Sequence, residues 1–554
     1  MAKRVRGRSP GVSERFLSAP RRRRLNERRL DVLLFVALGG LAYWWVTATA
    51  FWRDELQAWL VARSASTPWD LWSLLRYEGH PPLYYLLLWP LTHAGLSPDA
   101  ARFVVVITAL GALALLIFGL PLPRYLRLAV GFSAVWVGSY LTEPYALLPL
   151  LLLGAYVLDP DGRAQGPRRI GAWLCLGAVG ATDLFGLIVA GVLGLRRLRR
   201  GHTGWLGPSL ALMITGLGLL AALPAADAQS IHLGQAGPSL VSAWHLFGSL
   251  VGLQRTSTLL LPGAVLAALG LTMATLSGER RLAWLLVLIG DGILAIISGA
   301  QGELQAIPLL VCWVILYSEE RKTIVSTLTP TRRLDTIITA VAVIVGLVGA
   351  IEMSIALMDG LIGLLSPNSP QLVMLCGTVL TIVFLSGLIM LVRRDRWSRL
   401  AELTLVGLFL LLGANALSTA LQRPLSAAPA AIQAIGASIG PTVSYLATPD
   451  WLGANLSAEL DVPVWTPECA CSIGPIRWTR ARNQASGDPA ALRALLFVEA
   501  QRRLAAGETV ALVLAAGERP PWPAQLVVER QGGQWADEDI VIWLVRPSSL
   551  VDAL

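Results

Sequence analysis

Charge is what this 554-residue sequence has least of: Asp, Glu, Lys and Arg make up 15% of it, against 55% apolar residues. A soluble fold of this length needs more polar surface than that, so a soluble single-core protein is excluded. Histidine is scarce as well, at five residues. The histidines are scattered, and no metal site is assigned from them. The five cysteines give no disulfide framework. Cys175, Cys312 and Cys376 lie in apolar segments and read as packing residues. Cys469 and Cys471 form a C-A-C too close for an easy disulfide, and they read as a surface pair. A glycine-rich phosphate loop is also missing, which argues against a nucleotide ligand.

What is present is a succession of apolar windows separated by basic clusters. That composition predicts an integral membrane protein of the α-helical polytopic class. The net charge of +9 does not point to nucleic acid, because the arginines collect between apolar segments, as the positive-inside rule requires. The basic N-terminus (Arg21 to Arg24, Arg28, Arg29) precedes a span at 31–50 that reads as retained, with no small-residue cleavage site after it. Further spans are predicted at 102–120, 128–140, 145–158, 170–181, 184–195, 205–223 and 258–276, then at 282–298, 304–317, 336–358, 372–392 and 403–421. The total is roughly thirteen, with the strong basic clusters on one side. Residues 81–91 are too short to span, and they read as an interfacial helix anchored by Tyr84, Tyr85 and Trp89.

Three divisions follow: a basic cytoplasmic tail at 1–30, a membrane domain at 31–422, and a soluble domain at 423–554. In the last, "VSYLATPDWLGANLSAEL", "VPVW" and "DIVIWLVRP" alternate short strands with amphipathic helices, the pattern of a small α/β domain. An odd number of spans puts this domain on the extracytoplasmic side, together with the first loop.

That first loop is where charge concentrates. "FWRDELQAWLVARSASTPWDLWSLLRYEGHPPLYYLLLWPL" holds Arg53, Asp54, Glu55, Glu78 and His80 between two apolar stretches. An R-D-E directly after a span and an E-G-H-P-P-L later form a combination more specific than a lone capping acid.

The combination resembles the GT-C superfamily of integral membrane glycosyltransferases, and within it the family 39 protein mannosyltransferases and the lipid A aminoarabinose transferases. Asp54 matches that pattern's catalytic acid, with Glu55 beside it, and His80, Pro81, Pro82 and Leu83 match its second motif. "SPDAARFVV" puts Arg102 at the usual arginine, and "SYLTEPYALL" puts Glu143 at an acidic position and Tyr145 at the usual tyrosine. The likeness covers about the first 320 residues and is strongest in the first loop. The chain departs from the pattern at Thr182-Asp183-Leu184-Phe185 and at Gly302-Glu303-Leu304, where relatives carry T-H-[Y/F] and R-Y-L.

The resemblance implies a GT-C type bundle of about 13 transmembrane helices, with interfacial helices in the first outer loop and a C-terminal α/β domain. It also implies sugar transfer from a polyprenyl-phosphate donor. Independently of the name, such chemistry needs a carboxylate to take the acceptor's proton and cations to neutralise the leaving phosphate. Asp54 is the candidate base, Glu55 a charge-sharing or orienting neighbour, and Glu143 a third acid. Arg53, His80, Arg102 and Arg255 are the candidate phosphate contacts, and an arginine's planar fork suits phosphate best. Arg255 lies in "AWHLFGSLVGLQRTST", read as an outer loop that also holds His245. No cofactor is assigned, and divalent-metal dependence is left open. The expected partners are the polyprenyl-phosphate sugar, membrane lipids, and an acceptor glycan, lipid or protein, with no nucleic acid. The expected location is the cell inner membrane. Two rival readings remain. One is a transporter using acids such as Asp183, Asp291, Glu303 and Glu352. The other is a catalytically degenerate scaffold of the same fold.

Overall fold

A computed structural model describes residues 13–200, 204–228, 240–250, 261–298, 304–326, 397–422, 431–432, 435, 443–530 and 539–548. Structural statements below concern those residues. The predicted spans at 336–358 and 372–392, together with Arg255, His232, Glu303 and Glu352, lie outside them.

Helix α1 (Ser13–Ala48) runs out of the basic tail into the first apolar window. Its stretch Glu27–Ala48 and the stretch Asp99–Gly119 are long and apolar enough to cross a membrane. Between them the first loop folds as three short helices, α2 (Arg53–Ser64), α3 (Asp70–Leu75) and α4 (Leu83–His93). Helix α4 starts just after Pro81-Pro82, whose fixed backbone angles suit a helix start. Helix α5 (Asp99–Ala114) ends in a widened π-helical turn at Leu115–Gly119.

The span predicted at 128–140 is broken in two, α6 (Arg124–Phe132) and α7 (Ala134–Gly138). The break is Ser133, extended in backbone, whose hydroxyl accepts from the Trp136 N–H at 3.2 Å and caps the second piece. Helices α8 (Leu148–Leu158), α9 (Gly166–Gly180), α10 (Leu184–Arg199) and α11 (Leu206–Ala222) follow the predicted windows within a few residues. So do α13 (Leu261–Ala274) and α14 (Gly278–Ser298), whereas α15 (Ala306–Ser326) runs about nine residues past its window and α16 (Trp397–Gln422) starts about six before its own. One segment read as an outer loop is instead partly helical: α12 covers Leu240–Ser249, where Leu246 and Leu250 join the bundle core.

Trp136, Trp284 and Trp313 are fully buried at the centre of the bundle. Phe103 and Ile107 on α5, and Leu212 and Met213 on α11, point outward and stay exposed. Apolar faces of this kind suit lipid chains rather than water. Buried and half-buried acids pair with the basic clusters. Asp31 accepts from Arg124 at 2.7 Å and pairs with Arg127 at 3.3 Å. Glu402 binds Tyr125, Tyr317 and Arg321, while Glu319 binds Arg196 and Arg200.

The C-terminal region is a six-stranded sheet of order β3-β2-β1-β4-β6-β5. Its strands are β1 (Ser444–Ala447), β2 (Val464–Thr466), β3 (Cys471–Ser472), β4 (Val510–Ala515), β5 (Gln525–Arg530) and β6 (Ile540–Val545). β1 runs parallel to β2 and β4, and the outer pairings are antiparallel. Helices α17 (Asp450–Leu460), α18 (Arg480–Ser486) and α19 (Pro489–Ala505) complete it. Alternation along β4 sends Ala511 and Val513 to one apolar layer and Val510, Leu512 and Leu514 to the other.

Cys469 and Cys471 form a disulfide, contrary to the expectation from their spacing. The left-handed turn at Ala470, with φ of 50°, brings the two Cα atoms to 5.1 Å, inside the range a disulfide spans.

The sheet domain meets the first loop through an apolar seam. Phe51, Leu56 and Leu60 pack against Ala454 and Ala458 of α17 and against Ile476. Arg63 reinforces the seam, donating to Asp461 at 2.8 Å and to the Ser457 carbonyl at 3.2 Å.

Candidate active site

The site is built on the first turn of α2. Trp52 is extended, and its N–H donates to Glu55 Oε2 at 2.9 Å, which fixes where the helix starts. Asp54 follows in the first helical turn, where the helix dipole favours a negative side chain. Its carboxylate is about half open to solvent, at 47%, and accepts from Arg53 Nε at 3.1 Å. The Arg53 guanidinium also lies over the Trp451 ring of the sheet domain at 5.8 Å.

Glu55 behaves differently from its neighbour. It is 6% exposed, and its Oε1 accepts from the main-chain N–H of Thr142 at 2.6 Å and from the Thr142 hydroxyl at 2.7 Å. Its hydrogen bonds run to Trp52 at the start of α2 and to Thr142, so both carboxylate oxygens are engaged. Burial raises its carboxyl above the usual range, opposed by the Thr142 and Trp52 bonds.

Glu143 sits beside that brace, buried ahead of the turn Pro144–Leu147. Burial first, and then the negative charges of Asp54 and Glu55, hold its carboxyl well above the usual range. A fourth acid, Glu78, is 9% exposed. Burial, together with the charge of Asp54, pushes it up to about 8, against a bond from Gln57. The structure therefore gathers one solvent-facing carboxylate and three buried acids. Pairs of acids in contrasting environments of this kind divide acid and base roles at active sites.

The basic candidates separate. His80 stands at the mouth of the bundle, edge-on to the Tyr145 ring with centroids 6.1 Å apart, and the Tyr145 hydroxyl accepts from Gln305 at 3.2 Å. Arg102 uses its fork on the end of α1, donating to the Thr49 carbonyl at 2.8 Å and pairing with Asp99 at 3.0 Å. Its guanidinium also covers the Phe51 ring at 4.1 Å. Asp183 caps α10 through the Gly186 N–H at 2.7 Å. Asp291 is fully buried in α14, and neither carboxylate oxygen has a partner among the described residues. No group of three or more His, Cys, Asp or Glu suited to a metal ion occurs among those residues.

Gln57 and the burial of Glu78 escaped the sequence reading. The signal for Gln57 was faint: it is the one uncharged polar residue in the otherwise apolar run L-Q-A-W-L-V-A.

No family model matches the chain, and no curated protein matches it in sequence. The crystal structure of ArnT from Cupriavidus metallidurans in the apo state matches with a TM-score of 0.52 at 15% identity, over 93% of this chain and 98% of that one. The chain shares the fold of that ArnT structure. The structure of the same ArnT bound to undecaprenyl phosphate aligns with a TM-score of 0.48 at 14% identity, over 93% of this chain and 97% of that one. The match runs through both the helical bundle and the sheet domain.

Proposed function

We propose that this chain is a membrane glycosyltransferase that moves a sugar from a polyprenyl-phosphate donor to an acceptor on the extracytoplasmic face. The observation that carries the reading is the solvent-facing Asp54 carboxylate at the start of α2. It stands beside Arg53 and is backed by the buried Glu55, Glu78 and Glu143. In the proposed step an acceptor hydroxyl attacks the anomeric carbon and passes its proton to Asp54. The bond from that carbon to the phosphate oxygen breaks, and the phosphate leaves with the electron pair. Arg53 and His80 lie on the Asp54 side to neutralise it, and Arg102 and Arg255 are the further candidates.

The topology belongs to the same proposal. Residues 1–30 lie in the cytoplasm, and residues 423–554 lie outside with the first loop. The Cys469–Cys471 disulfide supports an oxidising compartment for the sheet domain. Among the described residues, the buried Asp291, without a partner for either carboxylate oxygen, favours a transporter reading, since acids within membrane helices often mark a substrate path.

The test is purified protein in lipid nanodiscs with radiolabelled polyprenyl-phosphate pentoses and hexoses and a mixed acceptor extract. Turnover that disappears in Asp54→Asn is the expected result. Binding without turnover identifies a scaffold, and counterflow across proteoliposomes identifies a transporter.

A further inference from the structure

Gln57 stands on α2 one turn beyond Asp54, so the two side chains leave the same face of the helix. It is 5% exposed. Its carboxamide makes three bonds. Nε2 donates to Glu78 Oε1 at 2.6 Å and to the Ile476 carbonyl at 2.9 Å, and Oε1 accepts from the Ile476 N–H at 3.0 Å. The two bonds to Ile476 are those a neighbouring strand would give a peptide group. Only a carboxamide carries the donors and the acceptor on one flat head. Glu lacks the donors, and Met or Leu lacks both.

The segment around Ile476 is held on both flanks. On one side the Ile476 side chain joins Phe51, Leu56 and Leu60 in the apolar seam. On the other, the Arg480 N–H donates to the Asp227 carbonyl at 3.0 Å, and the Asp227 carboxylate accepts from the Tyr77 hydroxyl at 3.0 Å. Tyr77 directly precedes Glu78. Gly79 comes next, with φ of 74°, a left-handed turn that leads into His80. Glu78 is thus tied to the sheet domain indirectly along two routes, through Gln57 to Ile476 and through its neighbour Tyr77 and Asp227 to Arg480, immediately before the turn into His80.

We propose that Gln57 is a positioning residue that couples the seating of the 473–482 segment to the placement of Glu78 beside Asp54, so that the outer-loop site is complete only with the C-terminal domain docked. The inference rests on the reading of Asp54 as the base. It adds that the sheet domain is a working part of that site.

Hydrogen–deuterium exchange on the full-length protein in lipid nanodiscs tests the coupling, with Asp54→Asn turnover measured alongside. Gln57→Glu keeps the size of the side chain and an oxygen for the Ile476 N–H, but removes the amide donors to Glu78 and to the Ile476 carbonyl and sets a second carboxyl against Glu78. Exchange of the Ile476 amide and of the 78–83 main chain should then quicken by about tenfold or more. Exchange in β4 and β6 should stay as in wild type, which separates undocking from unfolding. The reversed pair, Gln57→Glu with Glu78→Gln, restores a carboxamide–carboxylate contact of opposite sense. It should bring both segments back to within a few-fold of wild type, a rescue that a merely space-filling Gln57 would not show.

Wild-type exchange at Ile476 in Gln57→Glu overturns the proposal. So does faster exchange there without any change at 78–83, or a reversed pair no better protected than Gln57→Glu. If Gln57→Glu does not accumulate as folded protein, the reversed pair decides alone: protection at Ile476 supports the coupling and its loss overturns it. Exchange needs no substrate. An Asp54→Asn variant that still transfers sugar would therefore sink the catalytic reading and leave this measurement standing.

Discussion

Glu55 and Thr142 are joined twice, Glu55 Oε1 accepting from both the main-chain N–H and the hydroxyl of Thr142, at 2.6 and 2.7 Å. These two hydrogen bonds tie the start of α2 to the segment before Pro144 and leave two adjacent acids in different surroundings. Asp54 is the one turned to solvent. Asp54→Asn is expected to abolish sugar transfer while leaving the melting temperature within a degree or two of wild type, roughly the effect of an exposed substitution. Near-normal turnover in that variant would remove Asp54 from the mechanism.

Glu55→Gln should show the opposite pattern. The new amide places an NH₂ group where an oxygen now faces donors from Thr142 or Trp52, costing about 1–3 kcal/mol for a buried mismatch. A clear drop in melting temperature with a smaller loss of turnover is expected. An unchanged melting temperature would show that the brace is not needed.

The two arginines nearest the site divide in the same way. Arg102 is engaged with Thr49 and Asp99, so Arg102→Ala should lower stability by about 2 kcal/mol and leave turnover within a few-fold. Arg53 stands next to Asp54, and Arg53→Ala should reduce turnover by about 10²-fold, the usual loss of one transition-state donor. A 10²-fold loss at Arg102 instead would make that residue the phosphate contact.

Glu78 gives a pH signature. Its carboxyl lies at about 8 in the fold and near 4.5 in the unfolded chain. Between those values the folded protein holds a proton that the unfolded chain has released. Its stabilising contribution is whole below the lower value and is lost as pH climbs through the upper one. Glu78→Gln cannot titrate, so its melting temperature relative to wild type should rise steadily from about pH 5 to about pH 8. A pH-independent difference between the two proteins would show that Glu78 is not a buried, proton-holding acid.

The location of the sheet domain is open to a direct test. A C-terminal alkaline phosphatase fusion should be active and a green fluorescent protein fusion dark. The reverse would mean an even number of spans and a cytoplasmic sheet domain.

Local features were legible because local rules set them. The R-D-E turn, the proline-led helix at Leu83 and most apolar windows depend on a few neighbouring residues. The break at Ser133 was missed because the hydropathy of 128–140 is uninterrupted, and a single hydroxyl cap was enough to divide it. The Cys469–Cys471 disulfide was missed because spacing alone does not reveal the left-handed turn at Ala470. Gln57 was missed for a different reason. Its meaning lies in a partner 419 residues away, and no periodicity carries that distance.

That separation also sets an order in time. A ribosome adding about 5–20 residues per second takes roughly 20–80 s to pass from Gln57 to Ile476. Throughout that interval Gln57 can meet Glu78 but not its partner at Ile476. A chain cut short before Ile476 would carry Asp54, Gln57 and Glu78, yet lack the two Ile476 bonds that seat Gln57. The proposed coupling is therefore incomplete in a nascent chain until the segment around Ile476 has been made.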